Sequence, residues 1–352
     1  MTSFHDVYPN TFAPPGNVSE LDTSEWRWSQ WLGADSLAFV RRPDGAILIF
    51  CGDTYTTDVP TGTSFPADSF TNNSLLYWIG GRYGVKYSAG TNIFDSPNPY
   101  IPNILSPAGF RWGQGAWVDT GTDGKVHVMA TEYSGNIFSG YTAVNLREYI
   151  INDDFTIASS ALVPGLAPQT LTSSGYEVRW GHSVNIDYEA NVTYIFGTIQ
   201  VPGDGSRLVV CRRGIAAGSL PANTPTFWTG STWSSDMQDV IELGPTPGQS
   251  LAVIRHPAGG WLCTSCRKGL LTNKIAAWYA STITGTWTDL GDIYTIPSEF
   301  TTQYNYGGLS YITENNKLRL MYNLNATNVT YIQADYRRYG IRWVEVEIPG
   351  AP

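Results

Sequence analysis

Apolar and polar residues alternate along this chain in short runs, and no long segment holds a helical period. The runs come in pairs. Each pair has a small or polar lead-in, an alternating strand, a turn rich in Gly, Asn or Asp, and a second apolar strand that ends on a polar residue. The first pair covers residues 35–40 and 47–53 around Pro43-Asp44-Gly45. The second covers 114–118 and 126–132 around Thr122-Asp123-Gly124, and the third 181–184 and 194–197 around Glu189-Ala190-Asn191. The fourth covers 250–254 and 261–263 around Ala258-Gly259-Gly260, and the fifth 308–312 and 318–323 around Asn315-Asn316. Further strands are expected at 74–78, 208–211, 276–280 and 330–334. The copies begin at intervals of roughly 60 to 80 residues, room for a four-stranded blade each. The pattern predicts an all-β, five-bladed β-propeller, one domain over 1–352 with the first 25 or so residues as a lead-in. A pair of β-sandwiches is the alternative, but the copies are evenly spread and no linker splits the chain. Pro-rich stretches at 96–107 and 164–174 read as loops between blades.

Composition narrows the function. Only 14% of residues are charged, whereas 13% are aromatic, with 13 Trp and 21 Tyr. A helical bundle or coiled coil needs far more charged and helix-forming residues, and a disordered chain far fewer aromatics. The net charge of −9 and the lack of any basic run exclude nucleic acid as the natural partner. Low charge with abundant Trp and Tyr suits a neutral, hydroxyl-rich ligand, which points to a polysaccharide. No apolar run reaches membrane-spanning length, so no membrane insertion is expected. The N-terminal residues lack the basic and apolar regions of a secretory signal. Cys263 and Cys266 form the one CxxC, but an odd spacing on a strand turns the two thiols to opposite faces, so no metal site is expected. No phosphate loop, nucleophile elbow or HExxH motif is present, and no cofactor is expected. Residues 281–287 faintly resemble a sialidase Asp-box without its Asp and read as a blade-edge turn on which Trp287 packs.

The first hairpin carries the sharpest chemical signal. Its turn centres on Asp44, and Asp35 and Asp53 lie equally far on either side. In a regular antiparallel hairpin such residues face each other, with Cβ atoms roughly 4.5–5.5 Å apart. Two carboxyls that close cannot both ionise freely, so one is pushed to act as an acid while its neighbour stays charged. In glycosidases, carboxyls about 5–5.5 Å apart go with the retaining route. The plainer alternative is that Asp53 caps the Gly52-Asp53-Thr54 turn and Asp35 binds backbone amides. The other hairpins present polar groups at the same end: Gln114 and Glu132, then Arg179, Trp180 and His182, then Tyr304, Tyr306 and Asn323. In a propeller these ends converge around the axis. Together with Trp31 and Asn73 they are the expected substrate-binding set around Asp35 and Asp53. His182 is read either as a partner of a carboxylate or sugar hydroxyl or as a structural residue. Trp112 echoes Trp180 in a repeated Arg-Trp-Gly, which makes the two either repeat-structural or sugar platforms.

The segment Trp31-Leu32-Gly33-Ala34-Asp35-Ser36, followed by Pro43-Asp44-Gly45, Ile49-Phe50-Cys51-Gly52-Asp53-Thr54 and Asn72-Asn73-Ser74-Leu75, resembles the DUF4185 family, glycoside hydrolase family 183, the endo-D-arabinanases. Later blades resemble it more loosely, through Arg179-Trp180-Gly181-His182 and Tyr306-Gly307-Gly308. The resemblance implies a five-bladed propeller that cleaves α-D-arabinofuranosyl links of mycobacterial arabinogalactan and lipoarabinomannan with retention. It implies that the catalytic Asp pair falls on Asp35 and Asp53, Asp35 as nucleophile and Asp53 as acid/base or the reverse. Domains of this kind also occur in tail proteins of phages that infect mycobacteria. In that setting the partners are other tail proteins, and the protein reaches the envelope on the virion or after lysis. A mature extracellular protein with its signal removed is the rival. Two other functions stay open: a propeller that binds glycan without cleaving it, and a different furanosidase or sialidase-like hydrolase, the latter disfavoured by the lack of an Arg triad.

Overall fold

The computed structural model describes residues 31–56, 70–71, 73–79, 82–86, 109–136, 140–203, 205–215, 224–267, 272–327, 330–331 and 339–352. They form five antiparallel sheets arranged as a five-bladed β-propeller. Blade 1 is built from Trp31–Arg41, Ile47–Thr56, Ser74–Ile79 and Arg82–Lys86, with the short Phe70–Thr71 added. Blade 2 follows with Gly109–Val118, Val126–Asn136, Gly140–Ile151 and Ile157–Leu162. Blade 3 centres on Glu177–Asp187, Val192–Val201 and Gly205–Gly214, extended by Gln169–Thr170, Thr226–Trp228 and Trp233–Ser234. Blade 4 comprises Pro247–Arg255, Trp261–Arg267, Lys274–Ala280 and Thr288–Thr295. Blade 5 comprises Gln303–Ile312, Leu318–Ala326 and Gly340–Val346. The first long strands of the five blades pack against one another in a ring around the axis.

All five predicted hairpins are present. One outer strand differs from expectation. Thr330 and Tyr331 are helical, and 332–334 lie outside the described residues. The third strand of blade 5 is instead Gly340–Val346, paired with Leu318–Leu324. The loop expected at 96–107 also lies outside the described residues. Trp287 packs as expected, 8% exposed, with its indole N–H on the Ile283 carbonyl at 3.1 Å.

Each sheet is buried on both faces, which explains why the second strand of a blade is apolar almost without a break. In blade 1, Leu48 and Phe50 face Val126, Val128 and Ala130 of blade 2. Ile47, Ile49 and Cys51 between them face Leu309, Met321 and Trp343 of blade 5. Three further clusters join blades 2 and 3, 3 and 4, and 4 and 5, so the ring closes through five apolar seams. Cys263 faces blade 3 and Cys266 blade 5, on opposite sides of one strand. Burial pushes the Cys266 thiol up to about 12. Among the described residues no cluster of three His, Cys, Asp or Glu has the arrangement of a metal site.

Two ends of the ring differ. At the end that carries the hairpin turns, ion pairs cross from blade to blade. Arg42 meets Asp153 at 3.0 Å, Arg213 meets Glu148 at 2.7 Å and Arg255 meets Asp187 at 3.3 Å. Arg41 also pairs with Glu314, which joins blades 1 and 5. Glu148 also holds a buried histidine of its own blade. His127 Nδ1 lies 2.8 Å from Glu148, its Nε2 lies 3.2 Å from Asp123, and its ring stacks on Trp117. Both ring nitrogens face carboxylates, so the site demands an imidazolium. Burial opposes that charge, but the hydrogen bonds and charges of Glu148 and Asp123 prevail and raise the His127 pKa above 6.5.

A raised folded pKa means the native state holds the proton more tightly than the unfolded chain. This stabilisation is full below about pH 6.5 and is lost as pH rises through the raised value. His127→Gln should lower stability at pH 6 by about 3 kcal/mol. It should also flatten the loss of stability between pH 6 and 9, read from urea unfolding midpoints. A variant with the wild-type pH slope would show that another group titrates there.

Candidate active site

The opposite end of the ring gathers the strand starts. In every blade the first hairpin changes register at about the same height. The shifts fall between Ala34 and Ala38, Gly113 and Gly115, Trp180 and Ser183, Pro247 and Leu251, and Gly307 and Leu309. Bulges of this kind sharpen strand twist and re-aim side chains. The inner strands also meet too closely for side chains there. A Cβ on Gly115 would lie 2.4 Å from the Gly181 carbonyl oxygen, and one on Gly308 2.6 Å from the Cys266 nitrogen.

The hairpin of blade 1 runs in the predicted register from Arg41↔Ile47 to Ala38↔Phe50. It shifts at Ser36↔Cys51 and returns to the original register at Ala34↔Thr54. Asp35 therefore stands across from Gly52 and Asp53 within a bulged step. The side chains of Trp31 and Asp35 lie outside the described part of the structure. The Asp53 side chain is partly exposed, and its Oδ1 accepts a hydrogen bond from Trp112 Nε1 at 3.1 Å. The Asp53 carbonyl accepts one from the Tyr339 hydroxyl at 2.7 Å. Asp53 is thus tied to blades 2 and 5 at once.

Beside it, blade 2 presents a cluster of aromatic rings. Phe110 and Tyr133 stack at 5.0 Å, and Trp112 packs on both. Tyr141 meets all three edge-on at 5.2–5.5 Å. Phe110 and Tyr133 are buried, whereas Tyr141 is 42% exposed. Burial drives the Tyr133 pKa up to about 12, opposed by the nearby Arg179 charge. Burial also raises Tyr141, with Arg179 pulling it down and Asp53 pushing it up, so this hydroxyl senses both charges. Arg179 Nε donates to Glu177 two residues earlier on the same strand face of blade 3. The face thus runs from Asp53 across Trp112 and Tyr141 to an Arg–Glu pair.

The other expected residues divide by depth. Asn73 is buried, and its amide donates to the Arg111 carbonyl at 3.0 Å, linking blades 1 and 2. Glu132 is 2% exposed and accepts from Arg111, from Arg147 at 2.7 Å and from Asn145 at 3.0 Å. Burial favours its neutral acid, but the Arg147 hydrogen bond and the Arg111 charge prevail and hold it below the usual carboxylate range. Glu132 is therefore a buried anchor within blade 2. Trp180 corrects an expectation. It is 1% exposed in the seam between blades 2 and 3, with its indole N–H on the Met237 sulfur, and offers no face to a ligand. Gln114 and His182 line an axial cavity of about 260 Å³ below the open end. His182 Nε2 lies 3.2 Å from the Thr198 hydroxyl, which itself accepts from Gln200. Burial, helped by the Arg179 charge, lowers the His182 pKa to about 3, so the ring is neutral. In blade 5, Tyr304 and Tyr306 stack at 5.7 Å at the open end, and Asn323 is buried opposite Tyr306. A polar cavity of about 510 Å³ opens at the same end, lined by Arg267, Lys274, Gln303 and Asn305 of blades 4 and 5.

Sequence reasoning passed over Tyr133, Tyr141, Glu177 and Tyr339. Glu177 carries a usable signal, its i,i+2 spacing from Arg179. Tyr339 and Tyr141 reach the site through folding alone.

A five-bladed propeller with an acidic and aromatic open end is the class that fold and site define. Within that class, the chain belongs to the DUF5005 family, a domain of unknown function, whose profile matches residues 20–341. This family, and not the DUF4185 family that the first-hairpin motifs resemble, is the one matched. No curated protein matches the chain. Among solved structures it is similar to a candidate hydrolase from Bacteroides ovatus, at 13% identity and TM-score 0.68, covering 91% of this chain and 88% of that one. It is also similar to a levansucrase mutant of B. megaterium, at 11% identity and TM-score 0.53, covering 90% and 83%. At these identities the similarity is one of fold.

Two substitutions separate support from chemistry. Glu132→Gln should cost about 3 kcal/mol of stability, because it leaves Arg111 and Arg147 facing a neutral partner; thermal unfolding reads the loss, and an unchanged midpoint would mean the network contributes little. His182, with its folded pKa lowered, contributes stability that is complete above about pH 6.5 and falls away as pH drops from there toward 3. His182→Gln should accordingly reduce the acid sensitivity of unfolding between pH 6 and 4, which equilibrium denaturation at stepped pH would detect.

Proposed function

We propose that this protein is a glycoside hydrolase, and specifically a retaining, endo-acting hydrolase of α-D-arabinofuranosyl linkages in mycobacterial arabinogalactan or lipoarabinomannan. The observation that carries the reading is the blade 1 hairpin. Its register returns to symmetry so that Asp35 stands across from Gly52-Asp53, at the open end and beside an aromatic wall. Two carboxyls on adjacent strands suit a double displacement. One attacks the anomeric carbon. The other protonates the leaving oxygen and then takes a proton from the incoming water. Asp35 is assigned as nucleophile and Asp53 as acid/base. The arabinan specificity rests on the first-hairpin resemblance to family 183, and carbohydrate chemistry in general on analogy with the fold. Trp112 and Tyr141, rather than Trp180, supply the apolar faces that sugars stack on. The substrate is extracellular, so export, lysis or carriage on a virion has to bring the protein to it.

Incubation with mycobacterial arabinogalactan should release a ladder of D-arabino-oligosaccharides, with the anomeric configuration retained in proton NMR. Asp35→Asn and Asp53→Asn should each lower the rate at least about a thousandfold with the unfolding midpoint preserved. Retention on the polysaccharide without any release would replace the hydrolase with a glycan-binding propeller. Full activity in either variant would remove that residue from the mechanism.

A further inference from the structure

The aromatic shelf of blade 2 has features that the cleavage chemistry alone does not require. Tyr141 stands with 42% of its surface exposed on a base of Phe110 and Tyr133, which are 3% and 2% exposed. Its three ring contacts are all edge-on, so the phenol is held upright by rigid neighbours. A ring fixed this way binds without losing rotamer freedom. The shelf is polar at both ends. Trp112 joins it to Asp53 on one side. On the other stand Arg179 and Glu177, with side chains 31% and 29% exposed. Only the Nε of Arg179 and one oxygen of Glu177 are engaged in their mutual pair. The terminal guanidinium nitrogens and the second carboxylate oxygen meet no partner among the described residues. The Tyr141 hydroxyl likewise makes no hydrogen bond there.

We propose that Tyr141, Trp112 and the Arg179–Glu177 pair form a sugar subsite next to the cleavage point, taking one neutral ring of the glycan. The ring's apolar face lies on Tyr141, and two neighbouring hydroxyls bond to the Arg–Glu pair, one accepting and one donating. The charges select the ligand class. Glu177 and Asp53 repel a uronate, and Arg179 repels an amino sugar, whereas a paired guanidinium and carboxylate match a neutral diol. The chain of the substrate therefore leaves Asp53 over blades 2 and 3. This inference rests on the hydrolase reading and adds the direction of the glycan and the residues that grip it.

The test is calorimetric binding of an α-1,5-linked D-arabinofuranosyl hexasaccharide to Asp35→Asn protein, which is expected not to cleave it and keeps every residue of the shelf. Oligogalacturonate of equal length serves as the charged control. Tyr141→Ala should weaken hexasaccharide binding about tenfold or more, and Tyr141→Phe should stay within about threefold of the parent. Arg179→Met should weaken it similarly, and oligogalacturonate should bind more weakly than the neutral ligand. In the active protein Tyr141→Ala should raise KM more than it lowers kcat. Tight binding unaltered by both Tyr141→Ala and Arg179→Met would overturn the subsite and leave the hydrolase standing. If wild-type protein neither binds the hexasaccharide nor cleaves arabinogalactan, the hydrolase and the subsite fall together.

Discussion

Burial of every sheet on both faces governs this molecule. A blade has no solvated face, so its middle strands are apolar on both sides, and polar chemistry is confined to strand ends and to the axis. Odd and even positions of one strand serve different seams, as Ile47, Ile49 and Cys51 serve one and Leu48 and Phe50 the other. A polar residue in such a strand must arrive with its partners. Glu132 does so with Arg111, Arg147 and Asn145. Breaking an arrangement of this kind costs far more than an exposed ion pair would.

The bulge repeated in all five inner strands follows from the same crowding. Five strands converge on one axis, and where they meet, Gly115 and Gly308 leave no space for a Cβ. Beyond the bulges lie the strand ends that carry the polar residues. Asp35 and Asp53 sit at that transition in blade 1. The Asp53 carboxylate is held by an indole from blade 2, and its backbone by a phenol beside blade 5. Three blades thus fix one carboxylate, an accuracy that a loop-borne acid would lack.

This logic also sets what the sequence can reveal. The hairpins were legible because alternation and turn residues are local. So were the opposite facings of Cys263 and Cys266 and the near-symmetry of Asp35 and Asp53, since each needs only the period of a strand. The third strand of blade 5 was misplaced to 330–334, although Gly340–Val346 carries its own alternating apolar run. Trp112 and Trp180 share the same Arg-Trp-Gly motif yet end in different places, one bonded to Asp53 and the other sealed in a seam. The motif is the same, and the neighbouring blade decides. Tyr141 follows Gly140 at a strand start, with nothing in the sequence to mark it, and becomes part of the site only when blade 2 is laid beside blades 1 and 3.

The two ends of the ring divide labour through their charges. At the turn end four ion pairs span neighbouring blades and lock the ring. At the open end they stay inside single blades, as in Arg111–Glu132, Arg179–Glu177 and Arg267–Asp289. A charge spent on holding two blades together is already neutralised and fixed. One paired within its own strand or sheet can keep donors and acceptors turned outward, as Arg179 and Glu177 do. Two of the buried histidines reflect the same division: His127 is charged between carboxylates where blades are bolted, and His182 is neutral on the axis beneath the open face. Ion pairs that join blades at the turn end leave the open end to carry exposed aromatic rings and outward-turned polar groups.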